Sequence, residues 1–130
     1  MVFEKMPRKT FPGAPPGREN IDTQDLNVDV SATGAQAEWT DTEDAAAVII
    51  TALLKALSGG TSPAIQLNVQ HSPDGVTVLD YGPLGSSLSA VPMTLSESYT
   101  TLHRFVRLAF VSSGTPTTAT ADLYITAKRR

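Results

Sequence analysis

No cysteine occurs among the 130 residues of this chain. Disulfide frameworks, thiolate metal sites and thiol catalysis are therefore excluded, and the stability of the fold has to come from packing. Histidine is nearly as scarce, since only His71 and His103 are present. Neither lies in a nucleophile motif such as Gly-x-Ser-x-Gly, and the sequence has no His-x-x-x-His pair and no Asp-x-Asp-x-Asp-Gly loop. We therefore predict that the chain has no catalytic, metal or cofactor site and is not an enzyme.

Long apolar runs and an excess of positive charge are also missing. The most apolar stretch, residues 45–57, is far shorter than the roughly 20 residues that span a bilayer, and it contains Lys55. The net charge of -3 argues against general nucleic-acid binding, which requires a broad positive surface. The composition predicts a soluble protein with no membrane partner and no specific nucleic-acid partner. Basic residues in the last part of the chain are interpreted as solvated: Arg104, Arg107, Lys128, Arg129 and Arg130.

Carboxylates are present, but their positions favour structural roles. Acids in turns mostly face solvent, and Asp74 already has a turn-forming role in a Ser-Pro-Asp-Gly sequence. We therefore predict no acid and base pair among Asp41, Glu43, Asp44, Asp74 and Asp80.

The clearest positive signal is an alternating pattern over residues 64–81. Apolar residues occupy every second position from Ile65 to Val69, which is typical of a strand with one dry face and one wet face. A Ser-Pro-Asp-Gly turn follows, and the alternation resumes at Val76 and Val78. Proline presets the φ of a turn position and glycine tolerates a positive φ. The stretch therefore predicts a β-hairpin.

Shorter stretches of the same kind predict further strands. Residues 82–90 and 96–101 are interpreted as polar connections, and the single Trp39 as a packing residue. In the last strand Leu123 and its alternate neighbours should face inwards, whereas Tyr124 and its alternate neighbours should face solvent. The additional strands are predicted at residues 26–30, 36–40, 91–95, 102–111 and 119–127.

Residues 45–57 are ambiguous between helix and strand. Alanine and leucine favour a helix, and the acids before the segment would suit a helix N-terminus. However, residues 48–70 resemble residues 105–126, because each has an apolar segment, a Ser/Gly/Thr/Pro turn and an alternating strand. The second copy is rich in β-branched and aromatic residues. We therefore predict that both copies are hairpins and that 45–57 is a central strand, with helix as the alternative.

These observations predict an all-β fold with a single domain. About eight short, mostly antiparallel strands with turns roughly every ten residues are typical of a β-sandwich. We place the sandwich at residues 25–130 and an extended N-terminal arm at residues 1–24, because the arm is rich in proline and poor in large apolar groups. Apolar residues on such an arm are natural anchors for a partner. The predicted partner-binding residues are Val2, Phe3, Met6, Arg8, Lys9, Phe11 and Pro12.

Two segments also carry a resemblance to a known class of proteins. IQLNVQHSPDGVTVLDYG and HRFVRLAFVSSGTPTTATADLYITAKR resemble a widespread class of small structural proteins of tailed bacteriophages. In that class a V-Q-x-S-P-D-G strand precedes a variable loop, an R-F-V-R-L-like segment, an S-G-T-P turn and a final alternating strand. The resemblance covers about residues 45–128. One departure is Val78, where members of the class often have an aromatic residue.

The resemblance implies a virion structural protein of β-sandwich type. It implies a capsid decoration or minor capsid protein on the capsid surface, which assembles in the host cytoplasm. We further predict that the arm binds the major capsid protein, because an extended segment can cross several subunits, and that the protein forms a homo-oligomer, which would cover the apolar strand at 45–57. The resemblance implies no catalytic residues. A tail protein is an alternative, and so is a host-surface or carbohydrate-binding module that would use an aromatic patch. A hydrolase or lysis protein is a further alternative, disfavoured by the absence of a catalytic motif. The aromatic patch would consist of Trp39, Tyr81, Tyr99 and Tyr124.

Overall fold

The computed structural model describes residues 20–43 and 45–128. Within these ranges the chain contains nine strands and no helix, which confirms the all-β prediction. The strands are β1 (Ile21–Asp29), β2 (Gly34–Ala35), β3 (Thr40–Asp41), β4 (Ala47–Ser58), β5 (Ala64–Ser72), β6 (Leu79–Pro83), β7 (Met93–Tyr99), β8 (Phe105–Ser113) and β9 (Thr118–Lys128).

The strands form two antiparallel sheets that pack face to face. The four-stranded sheet has the order β1-β9-β4-β7, and the five-stranded sheet has the order β2-β8-β5-β6 with β3 also paired to β8. The predicted β-sandwich is therefore confirmed. Alternate residues of the central strands fill the space between the sheets. The largest fully buried side chains are Ile50, Leu54, Ile65, Leu67, Leu84, Leu88, Leu108, Leu123, Ile125, Val30, Val69 and Val106.

The ambiguous apolar segment is a strand, as predicted. β4 lies in the centre of its sheet, between β7 and β9, and its inward-facing residues from Val48 to Leu54 are buried. Its outward-facing residues, such as Ile49 and Leu53, are half-buried because the flanking strands shield them. The central position accounts for the nearly continuous apolar sequence, and the helical alternative is wrong.

The two similar segments are not hairpins, and that prediction was wrong. β4 and β5 lie in different sheets, as do β8 and β9, so each connecting turn crosses from one sheet to the other. We call β4 with β5 the first arch and β8 with β9 the second arch. β4 pairs with β9 and β5 pairs with β8, so every strand of one arch is hydrogen-bonded to a strand of the other. Turn residues alone do not specify whether the strands that follow will pair.

The crossover turns of the two arches, residues 59–63 and 114–117, are packed against each other. The backbone N–H of Thr61 donates to the carbonyl oxygen of Gly114 at 2.9 Å, and that of Thr117 donates to the carbonyl oxygen of Ser58 at 2.9 Å. Gly114 has a φ of +75°, and a Cβ placed on it would lie 2.4 Å from the carbonyl oxygen of Thr61. The repeated turn chemistry in the sequence reflects this shared, tightly packed crossing.

The first strand begins earlier than predicted. β1 starts at Ile21, and the pairs from Ile21 with Ala127 to Gln24 with Tyr124 place residues 21–24 in the sandwich rather than in the arm. The pattern concealed this because β1 is an edge strand with a mostly polar sequence. Residues 1–19 of the predicted arm lie outside the described residues.

Two other predicted strands differ in their details. The segment 36–40 is replaced by the two-residue strands β2 and β3, because the side chain of Gln36 bonds to β8 between them: its Oε1 accepts from the N–H of Leu108 at 2.8 Å. β7 continues to Tyr99 through residues predicted to be a polar connection. It is an edge strand, so its outward residues are polar.

The 64–81 hairpin is confirmed, but its second strand starts later than the alternation suggested. β5 and β6 pair antiparallel, and Gly75 has a φ of +80°. Val76 and Val78 belong to the turn and are exposed, Val76 by 80%. The turn is longer than its Ser-Pro-Asp-Gly core because the carboxylate of Asp74 binds backbone groups beyond Gly75.

Candidate functional site

The two histidines meet at one end of the sandwich. The backbone N–H of His103 donates to Nδ1 of His71 at 3.0 Å, and the two ring centroids are 4.7 Å apart. The ring of Tyr81 is perpendicular to that of His71, with centroids 5.5 Å apart, and to that of Tyr99, with centroids 5.3 Å apart. Burial, followed by the nearby His103, lowers the pKa of His71 below its ordinary value.

This cluster has the geometry of a packing contact. Because Nδ1 of His71 accepts a hydrogen bond, the neutral ring carries its proton on Nε2. Neither imidazole is hydrogen-bonded to a serine or a carboxylate within residues 20–43 and 45–128. A base without a nucleophile or an orienting carboxylate lacks the arrangement required for acyl transfer.

The acidic residues hold separate parts of the fold. Asp41 receives two hydrogen bonds from Arg104, at 2.7 and 2.9 Å, and one from the backbone N–H of Glu43 at 2.9 Å. Asp80 accepts from the side chain of Gln70 at 3.1 Å. No group of three metal-ligating side chains was found in the described part of the chain. Asp44 lies outside the described residues.

Asp74 organises the exposed turn from Ser72 to Thr77. Its Oδ1 accepts from the backbone N–H groups of Val76 and Thr77, both at 2.8 Å, and from the hydroxyl of Ser72 at 2.9 Å. The bond from Thr77, then that from Val76, holds the pKa of Asp74 far below its ordinary range. The hydroxyl of Ser72 also accepts from the N–H of Gly75 at 2.9 Å. A turn with this many internal bonds presents its apolar tip, Val76, in a fixed position.

The four aromatic residues that a host-surface or carbohydrate-binding module would use as a patch lie in three places, so they do not form one surface. Trp39 covers the guanidinium of Arg107 on the outer face of the five-stranded sheet, with 4.4 Å from the charge centre to the ring. Tyr124 has the outward position of β9 in the other sheet. Tyr81 and Tyr99 touch at the end of the sandwich. Strand alternation and the division into two sheets separate them.

Trp39 instead belongs to a polar row that crosses three strands. Nε of Arg107 on β8 donates to Oε1 of Gln70 on β5 at 2.9 Å, and Nε2 of Gln70 donates to Oδ1 of Asp80 on β6 at 3.1 Å. The sequence pattern did not indicate this row. The available signal was that Gln70 occupies a wet-face position, but pairing it with Arg107 required the register between strands of different arches.

Beside this polar row runs an open groove of about 460 Å³. Asn68 and Ala109 occupy neighbouring outward positions on β5 and β8 and lie within it. Its other lining residues are Thr33, Gly34, Gln70, Asp80, Gly82, Phe110 and Val111.

The basic residues do not form one surface in the described part of the chain. Arg104 is bound to Asp41, Arg107 belongs to the polar row, and Lys128 ends β9. Arg129 and Arg130 lie outside the described residues. The partner-binding prediction also lies outside them, as it concerned Val2, Phe3, Met6, Arg8, Lys9, Phe11 and Pro12.

A search for bilayer-spanning helices in the described ranges found none. No family model and no curated protein matches the chain.

Similar solved structures come from several kinds of protein. One is the N-terminal CBM22-1 and GH10 part of the xylanase Xyn10B of Clostridium thermocellum, complexed with xylohexaose, with a TM-score of 0.47 and 12% sequence identity. The match covers 86% of this chain and 20% of the xylanase chain. This chain thus spans about a fifth of the xylanase chain. Another is a Bacillus endospore appendage, described as a disulfide-linked pilus, with a TM-score of 0.45 and 13% sequence identity. The match covers 93% of this chain and 100% of the appendage chain. A third is a structure of infectious bursal disease virus, Gx strain, with a TM-score of 0.45 and 9% sequence identity. The match covers 98% of this chain and 38% of the viral chain. These likenesses concern the fold alone.

Proposed function

We propose that this chain is a non-enzymatic structural component of a phage virion, a capsid decoration or minor capsid protein. In this proposal residues 1–19 bind the major capsid protein, and the sandwich stands outward on the capsid surface. Assembly takes place in the host cytoplasm, and the protein acts as a homo-oligomer. The sequence resemblance to virion proteins supplies the biological setting.

The observation that carries the protein-binding part is an exposed apolar rim on the β5–β6 hairpin. Most of the exposed large apolar residues in the described ranges fall within a single short segment, residues 76–81, rather than being scattered. Grouped apolar exposure marks contact surfaces, whereas isolated exposed residues do not. We define the apolar rim as Val76, Val78, Leu79 and Tyr81.

The rim is also preorganised for binding. Asp74 fixes the backbone of Val76 and Thr77, so little chain entropy remains to be lost when a partner covers the tip. An apolar arm and a rigid apolar rim would act as two linked contacts, and linkage raises the effective affinity when many copies are displayed on a shell.

The test is cosedimentation with assembled heads of the source phage. Full-length protein is compared with protein that starts at Asn20, which retains all of β1. We expect loss of the arm to weaken binding at least tenfold and Val76→Asp in the full-length chain to weaken it several-fold. Val91→Asp is the matched control, because Val91 is an exposed valine that belongs neither to the apolar rim nor to the groove lining.

Equal binding by the full-length and shortened proteins would show that the arm is not the anchor. Equal binding by Val76→Asp and the wild type would remove the rim from the interface. Sedimentation of the same proteins without heads would reveal a homo-oligomer, and a monomer at all concentrations would contradict that part of the proposal.

A further inference from the structure

The groove on the outer face of the five-stranded sheet has the size of a ligand site. Its volume of about 460 Å³ lies within the range of roughly 300 to 1,000 Å³ that is usual for small-molecule pockets. The groove is partly open to solvent, so a segment of an extended chain can enter it. Three strand spacings of about 4.8 Å give a width across the sheet of about 14 Å.

The groove exists because its floor is built from small residues. Ala109 lies on the central strand β8, directly between Ala35 of β2 and Asn68 of β5. Gly82 lines the opposite side, and the space into which a Cβ of Gly82 would point is empty to a distance of 4 Å. A larger side chain at the outward position of Ala109 would fill the depression.

One wall of the groove is formed by Gln70 and Asp80, the two members of the polar row that line it. Arg107 is fixed from above by the ring of Trp39 and from the side by Gln70, and Gln70 is fixed in turn by Asp80. Each amide and carboxylate in the row therefore has a defined orientation before any ligand arrives. Such preorganisation reduces the entropic cost of binding.

Beside this wall are groups with unused hydrogen-bonding capacity. The side-chain amide of Asn68 has no hydrogen-bond partner within the described ranges, although it lies half-buried in the groove. Asp80 uses Oδ1 for Gln70, and its Oδ2 has no side-chain partner in those same ranges. Asn68 thus offers a donor and an acceptor, and Asp80 offers an acceptor.

The charge and polarity of the groove select the class of ligand. Asp80 is the only charged side chain that lines the groove among the described residues, and its Oδ1 already accepts from Gln70, so the groove disfavours an anionic ligand. The other polar side chains that line it are uncharged. An apolar peptide anchor has little to contact, since Val111 is the only large aliphatic side chain lining the groove among the described residues. Alternating donors and acceptors beside a small-residue floor match a chain of neutral sugars, whose hydroxyl groups both donate and accept.

We propose that this groove binds a neutral oligosaccharide chain. Asn68 and Asp80 make the new hydrogen bonds to sugar hydroxyls, Gln70 and Arg107 hold the wall, and Trp39 closes one end of the row. The site is distinct from the apolar rim and does not depend on a role in the virion. A protein displayed on a surface through its arm would leave this face open to solvent.

The experiment uses the full-length protein on an array of neutral, sialylated and sulfated glycans, followed by NMR titration with the strongest neutral binder. Hydrogen bonds to neutral groups contribute modestly, so we expect Asn68→Ala to raise Kd about threefold to tenfold. Because the Asn68 side chain has no hydrogen-bond partner among the described residues, we expect this variant to fold normally. Thr126→Ala, at an outward position of the other sheet, is the matched control and should leave Kd unchanged.

A second variant tests the groove itself. Ala109→Leu fills the floor and should abolish binding, with thermal unfolding used to verify that the variant is folded. The expected NMR result is that backbone signals of residues 68–70, 80–82 and 109 shift on titration. The proposal is overturned if no neutral glycan binds, if binding is confined to charged glycans and disappears with added salt, or if Asn68→Ala and a folded Ala109→Leu bind as well as the wild type. Perturbation of these residues by phage heads but by no glycan would equally overturn it and indicate a protein partner.

Discussion

The exposed turn at Ser72–Thr77 and the paired crossover turns at 59–63 and 114–117 use similar residues but are stabilised differently. The exposed turn is held by a side chain, because Asp74 accepts hydrogen bonds from the backbone of the residues that follow it. The crossover turns are held by close approach of backbones, as in the 2.9 Å bond from Thr61 to Gly114. Glycine has a positive φ in both, at Gly75 and at Gly114.

The difference shows that one turn composition can serve two purposes. At Gly75 glycine is required only for its positive φ. A Cβ added there would have room, since its nearest neighbour would be the ring of Phe105 at 3.7 Å, an ordinary van der Waals distance. At Gly114 the requirement is also one of space, since backbone atoms of the other arch occupy the position of a Cβ. The exposed turn can therefore serve as a recognition element, whereas the crossover turns lock the two sheets together.

Of the substitutions that distinguish the two kinds of turn, we expect Gly114→Ala to lower the free energy of unfolding most. The positive φ costs about 1 kcal/mol for alanine, and overlap with the backbone of Thr61 and Pro63 should add about 1 to 3 kcal/mol. We expect the free energy of unfolding, measured by urea denaturation, to fall by about 2 to 4 kcal/mol in total. A fall of under 1 kcal/mol would mean that the crossing is loosely packed.

Gly75→Ala isolates the conformational part of that cost. Its φ of +80° is close to that of Gly114, but the neighbouring ring is at ordinary van der Waals distance. We expect unfolding free energy to fall by about 1 kcal/mol, the cost of placing alanine at positive φ. The same urea experiment measures it, and Gly75→Asn should lose less, because asparagine adopts this conformation more readily. A loss as large as that of Gly114→Ala would contradict the comparison.

The smallest expected effect concerns the charge of Asp74, and it is present at neutral pH and lost in acid. Its pKa is lower in the folded protein than its ordinary value of 3.8, so its carboxylate adds stability above pH 3.8 that is lost as pH falls through the folded pKa. We expect the wild type to exceed Asp74→Asn in thermal stability at neutral pH and the difference to shrink below pH 4. Amide exchange at Val76 and Thr77 should quicken in the variant at neutral pH. An unchanged difference between pH 7 and pH 2 would argue against the role of this charge.

The parts of the fold that alternation encodes were predictable from the sequence. The burial of Leu67 and Leu123 follows from strand periodicity, and the strand at 47–58 was recognised by its likeness to the second arch. The crossing of the arches was not predictable, because the same Ser/Gly/Thr/Pro turn can return a strand to its own sheet or pass it to the other. The start of β1 was missed because an edge strand can be polar on most positions.

The candidate sites were less accessible to sequence analysis than the fold. The role of Asp74 in its turn was predicted from the local sequence. The hydrogen bond from Thr77 to its carboxylate was not predicted, and it extends the turn as far as Thr77. Val76 is therefore an exposed turn residue, although the alternation had indicated a strand. Gln70 and Arg107 are far apart in the sequence and meet only through the register of β5 with β8. Long-range register is the information that a single sequence does not display.

The pairing between the two arches also affects how the chain folds during its synthesis. β4 ends at Ser58, whereas its partner β9 begins at Thr118, so most of the chain must leave the ribosome before the four-stranded sheet can form. Pairing between such distant segments slows folding, since the entropy of closing a long loop is lost before the contacts compensate for it. A nascent chain that stops before β9 therefore carries an apolar β4 with no partner on that side, a state prone to aggregation.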